Sequence, residues 1–511
     1  MQKLGLTNFR KFKELKPLDI GGVTFLVGEN NSGKSTFTKA AILLSNFLSK
    51  VGDSFDAIPS TNEPPSLRFS FKDPYFRHVY IDTFYQALCN RSNNGVIKFQ
   101  TEIDDFNVRV SIVEPDAFKQ ERAQILEEMT VEDFSTCYPE IRDGQPGYYR
   151  NELSRETAMV SSFMIEDKKR GVRFLIDFEN YRITVRVYDQ DKKEECDALE
   201  EKFNSGKIEE GTEESILCKI KQLRSTYVEK EFSSQLFVSK ESEGLLDSFM
   251  RKSSVFPVIE IIKESIEHFS TVIKETKIEY IYAHSVHQLS SYSYGISGNN
   301  DYVDQTISRF YNQDLKYKRG LLSCSKSPKE LVLDWMNFLE IGDDFSINGS
   351  PSLKQNNEDK RLGVTLFDGD EEYDLSTKGI GMIQLFILLL RLATIVTDER
   401  KIKTVVIEEP EQNLHPALQS KLASLFFDVF HLYGCQVIVE THSEYIVRKT
   451  QVIAADLSDS HSDNPFRVYY FPSNGLPYEL HYLPNGGFKE KFGDGFYDEA
   501  VRLHLQILNR D

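Results

Sequence analysis

A glycine-rich segment near the start of the chain has the residue types needed to hold phosphate. It follows the pattern G-x-x-x-x-G-K-S and lies between a strand-like apolar run and a stretch with helical periodicity. In such a loop, backbone N–H groups surround the phosphates, the helix dipole assists, Lys34 contacts the terminal phosphates and Ser35 binds Mg²⁺. The predicted phosphate-binding residues are Gly28, Glu29, Asn30, Asn31, Ser32, Gly33, Lys34, Ser35 and Thr36.

Two consecutive carboxylates end a strand-like apolar run, TVVIEE, in the C-terminal part of the chain. The tip of a strand can present one carboxylate to a metal ion and the next to a water molecule that attacks phosphate. The pattern therefore predicts that Glu408 binds Mg²⁺ and that Glu409 is the catalytic base.

A histidine ends a further strand-like run, VIVETHS. At the carboxyl edge of a parallel sheet, His442 could reach the terminal phosphate of a nucleotide, and we predict a catalytic role for it. Gln86, which follows a strand-like region, is predicted as a further contact of Mg²⁺ or of the attacking water.

A small-residue turn opens an apolar helix in the segment DLSTKGIGMIQ. The N–H groups and dipole of a helix N-terminus attract anions, so Ser376, Gly379 and Gly381 are predicted to bind phosphate. Because the loop at Gly28 already holds one nucleotide, the phosphate bound here is expected to belong to a second subunit.

The elements that must position these residues fall into three stretches. Residues 1–113 predict a strand, the phosphate loop, a helix and then alternating antiparallel strands. Residues 114–277 are richer in Glu, Lys, Gln and Ser, and predict a mainly helical insertion with a β-hairpin near 172–188. Residues 278–511 alternate strand and helix, as in a parallel sheet with helical crossovers.

Composition limits the classes of function. The chain has 511 residues and a formal net charge of -18, which argues against a surface that binds nucleic acid by charge alone. A local run with Lys3, Arg10, Lys11, Lys13 and Lys16 leaves nucleic acid as a possible partner. The 6 cysteines form no C-x-x-C pair, so a reducing, cytoplasmic setting is expected. The apolar run 380–396 contains Arg391 and predicts a buried helix, so no membrane association is expected.

Together, LTNFRKFKEL, VGENNSGKST, LSTKGIGMIQ, VVIEEPEQNLHP and VETHSEYIV resemble the ABC-type ATPases of the SMC, RecF and OLD group. The resemblance is greatest to stand-alone AAA-type ATPases of bacterial anti-phage defence, such as OLD nucleases and the ATPase subunits of Septu and PARIS systems. It implies an α/β fold: an ABC-type ATPase head, with a parallel sheet core and an antiparallel β-lobe, split by the insertion.

The resemblance further implies ATP and Mg²⁺ as ligands and a head-to-tail dimer that holds two ATP molecules. Each ATP would lie on one subunit's Gly28–Thr36 loop and be sealed by the other subunit's 376–381 segment. His442 would be the switch histidine, and hydrolysis would release or reshape the dimer.

One segment and one residue depart from the pattern that the resemblance implies. The signature segment is LSTKGIG where transporter ATPases have the more glycine-rich LSGGQ, and Glu408 replaces the commoner aspartate. The stretch after His442 is also expected to be too short for the nuclease module of OLD proteins. A separately encoded effector, such as a nuclease, is therefore the expected partner.

Three functional hypotheses remain open at the level of sequence. The first is an ATP-hydrolysing switch or scaffold subunit of a defence complex. The second is a RecF-like DNA-repair ATPase that clamps DNA on ATP binding through the basic N-terminal run. The third is an ATP-dependent binding module with negligible turnover.

Overall fold

The computed structural model describes most of the N- and C-terminal thirds of the chain and parts of the segment between them. The described residues are 1–54, 68–71, 81, 84–89, 95–114, 157–180, 182–188, 195, 198–199, 219–220, 228–235, 259–282, 302–348, 363–493, 497 and 499–508.

The strands in these ranges belong to three sheets. In chain order they are β1 (Lys3–Phe9), β2 (Phe12–Asp19), β3 (Val23–Gly28), β4 (Arg68–Ser70), β5 (Val96–Ile103), β6 (Phe106–Val113), β7 (Thr157–Asp167), β8 (Val172–Asp177), β9 (Arg182–Tyr188), β10 (Val228–Gln235), β11 (Thr276–Tyr282), β12 (Asp344–Asn348), β13 (Gly363–Asp368), β14 (Glu371–Asp374), β15 (Ile402–Glu408), β16 (Gln436–Glu440), β17 (Phe466–Phe471) and β18 (Tyr478–Glu479).

The α-helices are numbered in the same way, and a 3-10 turn at Leu375–Thr377 follows β14. In chain order they are α1 (Lys34–Ser54), α2 (Phe84–Ala87), α3 (Ile259–Glu275), α4 (Tyr302–Lys318), α5 (Pro328–Leu339), α6 (Ile380–Val396), α7 (Pro416–Tyr433), α8 (Glu444–Asp459) and α9 (Glu499–Leu508).

The chain forms two compact units, and each unit contains two separate stretches of sequence. The first unit consists of Met1–Asp19 and Lys39–Lys274, and the second of Ile20–Thr38 and Glu275–Asp511. Strand β7 hydrogen-bonds to β6, so the sheet of the first unit continues beyond residue 113. The expected division of the chain at residues 113 and 277 stays a prediction.

The second unit is built on a largely parallel sheet with the order β11-β15-β16-β3-β17-β18, of which β18 is antiparallel. Every residue of β3 is buried, as are Val405–Ile407 of β15 and the apolar residues of β16, because helices cover both faces of a parallel sheet. The carboxyl ends of β15, β16 and β3 meet at one edge. The predicted phosphate loop, Glu408 and His442 lie at or just beyond that edge.

Helix α6 is the apolar run 380–396, and it lies in the core of the second unit. Its residues from Leu385 to Leu390 are buried, and it contacts β11 and β15. The prediction of a buried helix here is thus confirmed. Among the described residues, no helix combines the length and apolarity required to cross a bilayer.

The first unit is an antiparallel sheet with the order β10-β9-β8-β7-β6-β5-β1-β2, with β4 paired to β7. One face is apolar, as shown by the alternating burial of β5 and β6, and α3 packs there: the rings of Phe106 and Phe269 are 5.2 Å apart. The opposite face carries polar and charged side chains. The expected α/β class, with a parallel sheet and an antiparallel β-lobe, is confirmed.

The described part of the predicted insertion contains β7, β8, β9, β10 and α3. Strands β8 and β9 form a hairpin across 172–188. The remainder of the insertion lies outside the described residues.

Candidate functional site

The phosphate loop connects β3 to α1 and depends on glycine at two positions. Gly28 has φ +137° and Gly33 has φ +109°, both in the region that disfavours other residues. At Gly28, a Cβ atom would also lie 2.1 Å from the carbonyl oxygen of Phe471 on the neighbouring strand β17. Asn31 lies in the left-handed region as well, with φ 57°. This backbone curls the loop over the start of α1.

The first turn of α1 begins inside the loop. The N–H groups of Thr36 and Phe37 donate to the carbonyl oxygen of Gly33, at 3.1 and 3.0 Å. The N–H groups before them are those that a helix leaves for an anion. The buried hydroxyl of Ser32 has no hydrogen-bond partner among the described residues.

Lys34 points back into the loop. Its Nζ donates to the carbonyl oxygens of Gly28 at 3.0 Å and of Glu29 at 2.8 Å. Burial lowers the pKa of Lys34, and the carboxylates of Glu440 and Glu409 oppose that shift. The ammonium group is thus held at the loop by main-chain acceptors, which phosphate oxygens can replace.

Ser35 is joined to a carboxylate that the sequence analysis did not select. Its Oγ donates to Oε1 of Glu440, at 2.7 Å. Glu440 is the last residue of β16 and is only 3% exposed. Burial, followed by repulsion from Glu408, raises the pKa of Glu440 to about 7. The sequence did contain a signal for Glu440: it is an acid at the end of a strand-like apolar run, directly before Thr441 and His442.

Glu408, the predicted metal ligand, ends β15 directly beside Glu440, with which it is paired in register. Its Oε2 accepts a hydrogen bond from the hydroxyl of Tyr280 on β11. The structure therefore places two carboxylates next to each other at the sheet edge: Glu440 on β16, which pairs with β3, and Glu408 on β15, one strand farther from β3.

Glu409, the predicted base, has an unusual backbone conformation. Its φ is 48°, and its N–H donates to the carbonyl oxygen of Glu440 at 2.7 Å. Non-glycine residues in this left-handed region are concentrated at functional sites. The side-chain amide of Gln412 donates to Oε2 of Glu409, and Nε2 of His442 lies 3.8 Å from Oε1.

His442 is held from its backbone by Glu411, a second residue that the sequence analysis did not select. The N–H of His442 donates to Oε1 of Glu411 at 2.7 Å, and Glu411 is buried. Burial raises the pKa of Glu411. Burial and the charge of Lys34 both lower the pKa of His442, so the neutral imidazole is favoured at neutral pH.

The predicted signature residues lie at the start of α6. Ser376 is in the 3-10 turn, and Gly379 is the N-cap, with φ −61°, ψ 149° and no side-chain cap. No atom of the described residues lies within 4 Å of a Cβ placed on Gly379, whereas at Gly381 that Cβ would be 2.3 Å from the carbonyl oxygen of Asn413. Gly379 therefore faces open space, and Gly381 packs against the loop that follows β15.

Gln86 is described in the first unit, on the short helix α2, with its side chain exposed. The other predicted site residues belong to the second unit. The assignment of Gln86 to Mg²⁺ stays a prediction.

The residues at the sheet edge fit a magnesium ion. No group of three or more His, Cys, Asp or Glu among the described residues is arranged as a metal site by itself. Mg²⁺ does not require one, because it binds one or two carboxylates together with phosphate oxygens and waters. Oε2 of Glu440 is buried without a hydrogen-bond partner in the described part of the chain, as expected of an oxygen that is a ligand of a cation.

Comparison with known proteins identifies one family. The model of a family described as an AAA ATPase domain matches residues 1–447. No curated protein matches the chain. Among solved structures, the SMC head domain from Thermotoga maritima is 11% identical, with 94% of this chain and 98% of that chain covered and a TM-score of 0.32. An SMC head domain with an extended coiled coil, bound to the C-terminal domain of ScpA derived from Pyrococcus furiosus, is 10% identical, with 99% and 98% covered and a TM-score of 0.30.

Proposed function

The chain belongs to the AAA ATPase domain family, and from this premise we propose that it is an ATP-hydrolysing switch subunit of a bacterial anti-phage defence complex. It binds ATP with Mg²⁺, dimerises head-to-tail on ATP and controls a separately encoded effector such as a nuclease. One observation carries the catalytic part: Lys34, Glu409 and His442 meet at one edge of the parallel sheet, with His442 Nε2 3.8 Å from Glu409 Oε1.

Binding of ATP follows from the loop geometry. Phosphate oxygens replace the carbonyl oxygens of Gly28 and Glu29 as acceptors of Lys34, and the free N–H groups at the start of α1 donate to the same anion. Ser35 and Glu408 are the residues assigned to Mg²⁺, which when bound neutralises the phosphates.

Hydrolysis requires a base, and Glu409 is placed to be one. Its carboxylate accepts from Gln412 through Oε2, and we assign Oε1, on the His442 side, to take a proton from water. Neutral His442 donates an N–H to the terminal phosphate, since Glu411 holds its backbone in place. Water is thereby aligned between a base and the phosphate that it attacks.

Dimerisation is supported by the start of α6. The N-terminus at Gly379 has no side-chain cap and faces open space, so its N–H groups are available to an anion from outside the subunit. A phosphate held on the loop of a second copy is that anion, which makes ATP a ligand of the dimer. The role in defence is supported by the resemblance of the motifs.

The first test is ATP turnover and molecular mass, with and without ATP and Mg²⁺, for wild type, Lys34→Ala and Glu409→Gln. We expect Glu409→Gln to abolish turnover and accumulate an ATP-dependent dimer, and Lys34→Ala to show neither turnover nor dimer. Lys449→Ala and Glu444→Gln, on α8 outside the site, serve as matched controls. If Glu409→Gln lacks turnover but retains full biological activity, the protein is an ATP-dependent binding module instead.

The role in defence is tested separately. The effector encoded beside this chain should co-purify with it, and release or activation of that effector should depend on ATP turnover. Protection of cells by the isolated protein without any partner would contradict the proposal.

A second candidate function, an ATPase that clamps DNA, is favoured by the polar face of the first unit. A concavity of about 400 Å³ there is lined by Lys16, Lys98, Arg109, Arg173 and Arg186. Lys16, Lys98 and Arg109 make no ion pair among the described residues, whereas Arg173 pairs with Glu166 and Arg186 with Glu231. At ~4.8 Å per strand, these cations extend over roughly 29 Å from β2 to β9. That span is close to one turn of duplex DNA, about 34 Å.

Salt-dependent DNA binding distinguishes this candidate. If DNA is the ligand, a Lys98→Ala, Arg109→Ala double variant should weaken binding and reduce the dependence of affinity on salt by about two phosphate contacts. Lys449→Ala, on α8 of the second unit, is the control. Equal DNA affinity in all three proteins would exclude this face as a DNA site.

A further inference from the structure

We propose that Glu440 is a metal-holding residue of the nucleotide site: one of its oxygens positions the Ser35 hydroxyl, and the other binds the Mg²⁺ that accompanies ATP, directly or through a bound water. The inference rests on the proposed ATP site and adds a ligand from β16, the strand that precedes His442. Three properties of Glu440 support it.

The first property is position. Glu440 lies on β16, between the phosphate-loop strand β3 and β15, and is paired in register with Leu26 on one side and Glu408 on the other. Its carbonyl oxygen accepts the N–H of Glu409 at 2.7 Å. The backbone of Glu440 is thus fixed by the two strands that carry the other site residues.

The second property is its side-chain partners. Oε1 accepts from Ser35 at 2.7 Å, so Glu440 already contacts the hydroxyl that a phosphate loop offers to Mg²⁺. Oε2 is buried and has no hydrogen-bond partner among the described residues. Burial of an unpaired carboxylate oxygen is costly, so such an oxygen indicates a missing cation or proton.

The third property is the balance of charge. Lys34 is the cation whose charge acts on Glu440, while Glu408 and Glu409 act on it with negative charge. ATP would add further negative charge at the same place. A divalent cation resolves this repulsion, and one or two carboxylates with phosphate oxygens and waters are its usual ligands. Without a metal, Glu440 should repel nucleotide.

The test compares wild type with Glu440→Gln, which keeps the shape and removes the charge. Two quantities are measured: binding of Mn²⁺ by electron paramagnetic resonance in the presence of a non-hydrolysable ATP analogue, and the Kd of that analogue in EDTA. At about pH 8, where Glu440 is mostly ionised, we expect Glu440→Gln to weaken Mn²⁺ binding roughly tenfold or more, and to strengthen metal-free nucleotide binding by about tenfold, because one like charge is gone.

The control is Glu444→Gln, the same substitution four residues along the chain. Glu444 pairs with Arg448 at 3.1 Å on an exposed part of α8. The Glu444→Gln variant should therefore bind Mn²⁺ and nucleotide as the wild type does. If Glu440→Gln leaves the Mn²⁺ affinity and the metal-free Kd unchanged, the proposal is overturned and Glu440 only supports Ser35.

A second variant keeps the proposal testable if Glu440→Gln does not fold. Glu440→Asp retains the charge but withdraws it by one methylene, so Mn²⁺ binding should weaken while metal-free nucleotide still binds poorly. Unchanged Mn²⁺ affinity in Glu440→Asp would overturn the proposal in the same way. Failure of the proposed function would be recognised by a different result. In that case the wild type would lack turnover and dimerisation, even though its nucleotide binding depends on metal.

Discussion

At the scale of single residues, the site depends on how Glu409 is oriented. Its left-handed backbone, φ 48°, turns the side chain away from the strand direction, and the hydrogen bond from Gln412 fixes one carboxylate oxygen. A base that is displaced by about 1 Å can lose roughly a hundredfold in rate. Gln412 is therefore expected to matter for catalysis through the orientation of Glu409.

Replacement of Gln412 by alanine should lower kcat by roughly 10- to 100-fold, because Glu409 loses the donor that orients it. The Kd for ATP should stay within about twofold, since the phosphate loop is untouched. Steady-state kinetics and nucleotide titration measure the two quantities. Gln451→Ala, on α8 beside Arg448, is the control. A lowered ATP affinity with unchanged kcat would contradict this role.

At the scale of elements, two contacts hold α6 in place. At its N-terminus, Gly381 approaches the carbonyl oxygen of Asn413, in the loop after β15. In its middle, Arg391 pairs with Glu279 on β11 at 2.8 Å, with side chains only 4% and 13% exposed. Each contact links α6 to the parallel sheet or to the loop after β15, and that sheet carries Glu408 and Glu440.

Substitution of Gly381 by alanine should lower the free energy of unfolding by about 1–3 kcal/mol, because the new Cβ would lie 2.3 Å from a carbonyl oxygen and must displace it. Gly379→Ala offers a matched control, since nothing lies within 4 Å of its Cβ, and it should change stability by about 0.5 kcal/mol or less. Chemical denaturation measures both. Equal stabilities would show that the loop at Asn413 gives way without cost.

The buried pair Glu279–Arg391 should be sensitive both to mutation and to pH. Glu279→Gln leaves Arg391 buried without its counter-charge, and we expect a loss of about 3–5 kcal/mol at pH 7. The exposed-pair control Glu444→Gln should cost about 0–1 kcal/mol.

The pH dependence of this pair has a defined sign. Burial alone would raise the pKa of Glu279, but Arg391, Lys277 and Arg309 outweigh it and lower the pKa. A carboxyl with a lowered pKa stabilises the fold above its unfolded value and loses that stabilisation as pH falls. Thermal denaturation should show the wild type losing stability below about pH 4.5 more steeply than Glu279→Gln. Parallel pH profiles would contradict the assignment.

At the scale of the whole molecule, net charge opposes self-association. Each chain carries a formal charge of -18, so two copies repel each other at long range. The proposed ATP-dependent dimer must overcome this repulsion through the nucleotide and the contacts around it. The basic concavity of the first unit is a local exception on this acidic protein.

Salt should therefore strengthen the ATP-dependent dimer. Raising the ionic strength from about 0.01 to 0.15 M shortens the Debye length from about 30 to 8 Å and screens the repulsion, so the dimer Kd should fall. Sedimentation of the Glu409→Gln variant with ATP measures it. DNA binding, if present, should show the opposite dependence on salt. A dimer that weakens as salt rises would indicate an interface held together by opposite charges instead.

The sequence by itself determined the features that depend on neighbouring residues. The phosphate loop is a contiguous pattern between a strand and a helix, and the α/β class follows from apolar periodicity, so both could be predicted. Glu409 and His442 lie just after the apolar strands β15 and β16, so their place at the sheet edge could be predicted, and their catalytic roles stay predictions. Residues whose roles depend on distant partners were missed, as shown by Glu411, which holds the backbone of His442.

Only the tertiary structure decided which carboxylate meets the phosphate loop. Ser35 and Glu440 are 405 positions apart, and they touch because β16 pairs directly with β3 while β15 is one strand farther away. Strand order depends on which surfaces can be buried together across the whole chain, and no local pattern encodes it. The pairing of β7 with β6, which extends the first unit beyond residue 113, was undecided by the sequence for the same reason.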